Sequence, residues 1–201
     1  MKRIFITLAV SCLSACATPP SLDVAEAPAG QYKLDPSHTS VTWSLSHAGL
    51  SLYTARFDAV SGALDFDPTD PTASQLDVRI DPKSVSTGDP DWDDTLATSS
   101  NYFEADRFPE IRFVATNSKR LTERTGEVTG LLTLKGVTKP VTLDVTYNGA
   151  GKSFGNLGQT LGFSAVGRFN RSEWGLDYLI TLANIGDEIT LRIETEFNEV
   201  Q

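Results

Sequence analysis

The residues able to do chemistry in this chain are few and scattered. There are two histidines, His38 and His47, and with Asp35 they suggest a metal site. Their spacing matches no common ligand pattern, so no metal is assigned. His47 alternates with Leu45 and Trp43, which makes it a pocket-wall or core histidine in reach of a ligand headgroup or water. Asp89, Asp91 and Asp93 open like a calcium loop. The glycine that such a loop needs at its sixth position is replaced by Asp94, and the glutamate at its twelfth by Ser100. These aspartates read as a solvated cluster capping a helix. No Gly-x-Ser-x-Gly segment is present, no glycine-rich phosphate loop precedes a helix, and serine, histidine and aspartate show no local catalytic arrangement. Arg168 and Arg171 remain. An arginine at the rim of a pocket can pair with an oxygen of a bound ligand, and a structural turn contact serves equally well. The chain is therefore read as non-catalytic, with no cofactor required.

The elements that must position these side chains are strands. From Leu131 to Tyr147, apolar residues fall at Leu132 and Leu134, then at Val141, Leu143, Val145 and Tyr147, with polar residues between. That is period-two alternation on either side of a break at Gly136, the pattern of an antiparallel pair with one apolar face. The pattern recurs. Trp43, Leu45 and His47 alternate with Thr42, Ser44 and Ser46. Residues 53 to 66 carry Phe57, Val60, Leu64 and Phe66, with Gly62 expected at a bulge. Leu76, Val78 and Ile80 alternate with charged residues, and Phe113 lies in a short strand. Leu161, Phe163, Ala165 and Phe169 share a face, as do Ile189, Leu191 and Ile193. Only residues 90–103 show helical spacing, with Asp89 as the cap and acidic residues in the first turn. About eight long strands fit an up-and-down barrel, with a two-sheet sandwich as the alternative.

The chain has 201 residues and a formal net charge of −9. It opens with Lys2 and Arg3, an apolar run from Ile4 to Val10, and then small residues, the layout of a secretory signal. Leu13-Ser14-Ala15-Cys16 resembles a bacterial lipobox, in which cleavage precedes a cysteine that is then acylated. Ala15-Cys16-Ala17 also fits a cleavage site that would release a soluble periplasmic protein. Residues 1–15 are read as signal peptide, 16–30 as a flexible tether and 31–198 as the barrel domain. After cleavage Cys16 is the one remaining cysteine, so no internal disulfide forms. The acidic balance argues against nucleic acid. Ala17 follows the cysteine, which points to an outer-membrane anchor facing the periplasm. A homodimer is compatible with all of this.

Across residues 31–198 the chain resembles the YceI-like family. The resemblance is carried by Tyr32 to His38, Trp43 to Gly49, Phe57 with Ser61-Gly62, Asn101 to Phe113, Gly130 to Thr138, Gly162-Phe163, Phe169 to Leu176 and Gly186 to Ile189. It implies a lipocalin-like antiparallel barrel, exported to the envelope, that holds a polyisoprenoid lipid such as an isoprenoid quinone or polyprenyl phosphate. Ala55 stands where that family has glycine, and Val60 where an aromatic is common. The implied ligand wall is Trp43, Leu45, His47, Phe57, Leu64, Phe66, Val78, Ile80, Phe113, Leu132, Leu134, Leu143, Phe163 and Phe169, with Arg171 at the rim. Periodicity alone leaves open whether these side chains line a tunnel or plug it, as in an envelope lipoprotein with a filled barrel. An enzyme acting on a hydrophobic substrate is the third reading.

Overall fold

A computed structural model describes residues 19–70, 72–153 and 156–201. The signal segment and Cys16 lie outside the described residues. Eleven strands form one antiparallel sheet: β1 (Gly30–Leu34), β2 (Ser40–His47), β3 (Ser51–Phe57), β4 (Val60–Phe66), β5 (Gln75–Ile80), β6 (Val85–Ser86), β7 (Ile111–Arg120), β8 (Thr125–Leu134), β9 (Val137–Gly151), β10 (Thr160–Asn170) and β11 (Glu188–Glu199). The first six are halves of three broken strands. β1 and β2 lie along one edge of β11, at Phe197–Glu199 and at Thr190–Glu194. β4 pairs with β1 and β3 with β2, while β5 pairs with β4 and β6 with β3. Eight strands thus run up and down in sequence order. The contact of β1 with β11 closes the ring, which excludes the open sandwich.

The breaks have local causes. Pro36 cannot donate to a ladder, and the chain makes a 3-10 turn at Pro36–His38 capped by the Asp35 side chain. The strand expected over residues 53–66 is interrupted at Asp58 and Ala59, where the Asp58 amide donates to Ser84 instead of to a neighbouring strand. Gly62 makes no bulge; its pairing with Val78 is regular. Its lack of a side chain matters for space, because a Cβ there would sit 3.1 Å from the Asp77 carbonyl and 3.2 Å from Val78. The turn at Lys135-Gly136 joins β8 to β9 with positive φ at both residues, 49° and 76°. That is the geometry that matches a tight hairpin to strand twist.

The alternation of β2 is realised as read. Val41, Trp43 and Leu45 are buried inside, while Thr42, Ser44 and Ser46 face outward and are half-buried. The helix is α1 (Pro90–Thr98), whose cap Asp89 accepts from the amides of Asp91 and Trp92. It ends earlier than residue 103, and Phe103 follows in a turn with its amide donating to Leu96. A second short helix, α2 (Ile180–Ala183), lies in the connection between β10 and β11. α1 and this connection sit at the same end of the barrel, beyond the start of β7 and the end of β10.

Part of the segment read as a tether is packed. Ser21 exchanges two backbone hydrogen bonds with Ala150, at 2.7 and 2.9 Å. Residues Val24–Glu26 form a 3-10 turn, and Val24 and Ala27 are buried in the core. A single turn with two inward apolar side chains has no period to detect, so the sequence reads as featureless there.

Candidate functional site

Inside the ring lies a cavity of about 760 Å³, within the range typical of small-molecule and cofactor sites. The barrel is therefore not filled. Phe66 and Phe197 meet Phe163 edge to face at 6.2 and 6.1 Å, Tyr147 meets it at a tilt at 5.7 Å, and the four form wall rather than plug.

Every residue expected in the ligand wall lines this cavity. Trp43, Leu45, Phe57, Leu64, Phe66, Leu132, Leu134 and Leu143 are buried. Val78, Ile80, Phe113, Phe163 and Phe169 are only partly buried while packing on the core. They line the cavity from β5, β7 and β10, so the surface they keep accessible faces it. Gly130 makes room for one of them. A Cβ there would collide with the Phe113 ring and lie 2.7 Å from the Val114 carbonyl.

Two expected positions carried two readings each, and each takes one of them. His47 is exposed at the end of β2, where its backbone bridges to Ile185, and it borders the cavity beside Tyr53 at 6.4 Å. It is a rim residue and not a core histidine, because alternation carries past the last inward position that the barrel covers. Arg171 is buried with 6% exposure. Its Nε donates to the Gly186 carbonyl at 2.9 Å, and Nη2 donates to Tyr178 at 3.0 Å and more weakly to Ile185 at 3.5 Å. Nη1 donates to the Leu176 carbonyl. Burial lowers its pKa from the usual guanidinium value. Arg171 thus ties together the connection between β10 and β11, the turn-contact alternative, while one side still borders the cavity. Arg168 is on the outer face, 3.9 Å from Glu188.

The two histidines do not meet. His38 lies outside the barrel with Asp35 at 3.0 Å and Glu196 at 3.9 Å. These three side chains bring ligand-type atoms within 4.8 Å of one another. The His38–Asp35 hydrogen bond already joins two of them, and it raises the His38 pKa while lowering that of Asp35.

Sequence reasoning missed several wall residues. Tyr53 alternates with Phe57 and was legible. Tyr102, Leu176, Tyr178, Leu179 and Ile185 come from irregular segments at the α1 end, where no period exists. At the other end the cavity reaches Val24, Thr72 to Gln75 and the β7–β8 hairpin from Thr116 to Glu127. Here the wall thins. β5 pairs with β7 only from Ile111 to Val114, whereas β7 continues against β8 to Arg120 with a register shift at Ala115/Asn117. Thr72 to Gln75 on one side and Ala115 to Lys119 on the other form the lips of this slot.

Three polar groups facing inward or buried lack hydrogen-bond partners among the described residues: Trp43 Nε1, Tyr147 Oη and Glu196 Oε2. Burial pushes the Tyr147 phenol up to about 12, with Tyr32, Asp23 and Glu26 adding to the shift. Tyr32 is likewise raised to about 12, first by burial and then by Glu199, and its hydroxyl donates to the Pro28 carbonyl.

Comparison with known proteins places this architecture. The model of the YceI-like domain matches residues 32–197. A UPF0312 protein of Pseudomonas putida (strain W619) is 36% identical over 157 residues, covering 77% of this chain and 81% of that protein. A crystal structure of a Campylobacter jejuni YceI protein superposes with a TM-score of 0.67 at 32% identity, covering 76% of this chain and 88% of the other. A polyisoprenoid binding domain from Saccharophagus degradans, implicated in plant cell wall breakdown, shares the fold at 18% identity, with a TM-score of 0.61 and coverage of 86% and 100%.

Proposed function

The chain belongs to the YceI-like family, and on that footing we propose that it binds a long-chain isoprenoid lipid, an isoprenoid quinone or a polyprenyl phosphate, and carries or stores it without turnover. The apolar cavity of about 760 Å³ carries this reading. The tail lies against Leu45, Phe57, Leu64, Phe66, Val78, Ile80, Phe113, Leu132, Leu134, Leu143, Phe163 and Phe169, with Trp43, His47 and Arg171 towards one end.

The energetics suit a carrier. Removing such a chain from water contributes roughly 0.8 kcal/mol per methylene, a gross term far above any realised affinity. Relative to a bilayer the gain is small, since both surroundings are apolar. The protein therefore protects the lipid in water and exchanges it at membranes. Acylation at Cys16 would keep it in the cell envelope, facing the periplasm from the outer membrane, and several acyl chains make such anchoring stable where one is marginal. Mass spectrometry of the mature N-terminal peptide tests this point. An unmodified terminus at Thr18 would indicate the soluble form.

The decisive experiment for binding is organic extraction of protein purified from native membranes, followed by mass spectrometry. Stoichiometric isoprenoid is the expected result. An empty extract from folded protein, repeated after incubation with isoprenoid vesicles, would overturn the reading.

A further inference from the structure

The fold gives His38 and Asp35 a third partner that their spacing in the chain does not reveal. Asp35 stands just past the end of β1 and His38 in the 3-10 turn that follows, while Glu196 belongs to β11, the strand that closes the ring. The Asp35 amide donates to the Glu196 carbonyl at 2.9 Å, so the backbone itself holds these elements together. Outside the barrel the three side chains converge. His38 Nδ1 lies 3.0 Å from Asp35 Oδ2 and 3.9 Å from Glu196 Oε2, and all three atoms fall within 4.8 Å of one another.

Hydrogen bonding leaves this cluster incomplete. Nδ1 and Asp35 Oδ2 share a proton between them. Glu196 Oε2 is a buried atom with no hydrogen-bond partner among the described residues, and 3.9 Å puts Nδ1 beyond hydrogen-bond reach of it. A buried carboxylate oxygen left so calls for a cation or donor that belongs there. Asp35, by contrast, is held in place. Its Oδ1 accepts from the Ser37 amide at 2.8 Å and its Oδ2 from Asn198 Nδ2 at 3.0 Å. Asn198 Oδ1 accepts in turn from Thr160 at 2.7 Å and from Asn156 at 3.1 Å. Outer contacts of this kind orient a metal-ligating carboxylate.

Distances and donor types select the ion. Around a tetrahedral zinc with bonds of about 2.0–2.2 Å, neighbouring ligand atoms stand about 3.4 Å apart. The separations of 3.0 and 3.9 Å bracket that spacing, so a small rotation of the His38 ring completes it. One imidazole nitrogen with two carboxylate oxygens suits zinc or a similar divalent transition ion. Calcium asks for about six to eight oxygens, more than this set provides. The Asp35 side chain is 17% exposed and that of His38 54%, so solvent reaches the cluster from the histidine side.

We propose that Asp35, His38 and Glu196 bind zinc or a similar divalent transition-metal ion, with water in the fourth position. The ion replaces the proton between His38 and Asp35, which passes to solvent, and gives Glu196 the partner it lacks. It ties the turn between β1 and β2 to the C-terminal strand, beside the seam where Leu34 pairs with Phe197. The site lies outside the barrel and is independent of the lipid-carrier reading.

The test titrates zinc chloride into the untagged, chelator-treated mature protein by calorimetry, with thermal unfolding alongside. A single equivalent is expected to bind and to raise the thermal midpoint with increasing zinc, and calcium and magnesium are expected to do neither. His38→Gln and Glu196→Gln should each abolish the rise. Asp91→Asn, which removes a carboxylate of the α1 cluster, should keep it. Absence of saturable zinc binding overturns the proposal. So does a rise that survives in His38→Gln or Glu196→Gln, one that Asp91→Asn removes, or an equal response to calcium. Where a variant fails to fold, nuclear magnetic resonance of the wild type decides. The chain has two histidines, and zinc should shift the ring signals of His38 while leaving those of His47 in place. Shifts at His47 alone, or at neither ring, overturn the site.

Discussion

Asp77 grips Arg112 across the β5–β7 seam with both carboxylate oxygens: Oδ1 accepts from Nε at 3.0 Å and Oδ2 from Nη2 at 2.7 Å. Asp77 is the last β5 residue paired with β7 before the slot begins. The bidentate pair therefore stands where the wall is about to part.

Breaking that grip should cost little and only above acid pH. The hydrogen bond from Arg112 is the largest cause lowering the Asp77 pKa. A depressed carboxylate stabilises the fold above its unfolded pKa, near 3.9, and that contribution is lost as pH falls through the folded value. The Arg112 side chain is 41% exposed and that of Asp77 32%, so solvent screening keeps the effect small. Arg112→Ala should lower the thermal midpoint slightly at neutral pH, with the difference from wild type vanishing in acid. A difference that persists in acid would assign the loss to packing of the arginine stem.

Arg171 offers the opposite case. Its replacement by alanine leaves several buried carbonyls without donors, and about 3 kcal/mol or more of stability should be lost. Arg171→Lys keeps the charge but not the planar fork, and it too should be destabilised, measured by denaturant unfolding. If the lysine variant is as stable as wild type, charge rather than geometry is what the position supplies.

The inner face of β2 gives a paired test. Leu45→Trp pushes an indole into the cavity, and it should exclude bound lipid while costing roughly 1–3 kcal/mol through overpacking. Ser44 pairs with Thr54 and Thr190 on the outer face. Ser44→Lys should change neither lipid content nor thermal midpoint. Full lipid content in folded Leu45→Trp would move the tail's path away from β2.

The buried tyrosines predict behaviour at high pH. The phenols of Tyr32 and Tyr147 are both raised to about 12, against about 10 for an unfolded tyrosine. Stability from keeping them neutral is complete below pH about 10 and is lost as pH rises towards 12. Spectrophotometric titration should show a late phenolate phase in the folded protein, reduced in Tyr147→Phe. A single phase near the ordinary phenol pKa in folded protein would show that Tyr147 is hydrated.

The regular parts of this barrel were legible because a strand with one buried face writes its geometry directly into alternation. Trp43 and Leu45 on β2, and Leu132, Leu134 and Leu143 on β8 and β9, face inward as their spacing requires. Legibility fails where the wall is irregular. Tyr102, Tyr178 and Ile185 reach the cavity from segments without a period, and Val24 arrives from a single 3-10 turn. The role of Arg171 was undetermined for a related reason. Its partners are backbone carbonyls brought together by a folded connection, and carbonyls carry no sequence signature.

The seam between β1 and β11 sets Tyr32 opposite Glu199 and Leu34 opposite Phe197, so the first strand of the ring is completed only by the last. Contacts this distant along the chain must await closure of the longest loop the molecule contains, and such topologies fold slowly. A nascent chain of this kind has no finished core until its C-terminal strand emerges. Until then one edge of its first strand, at both β1 and β2, stays without its partner.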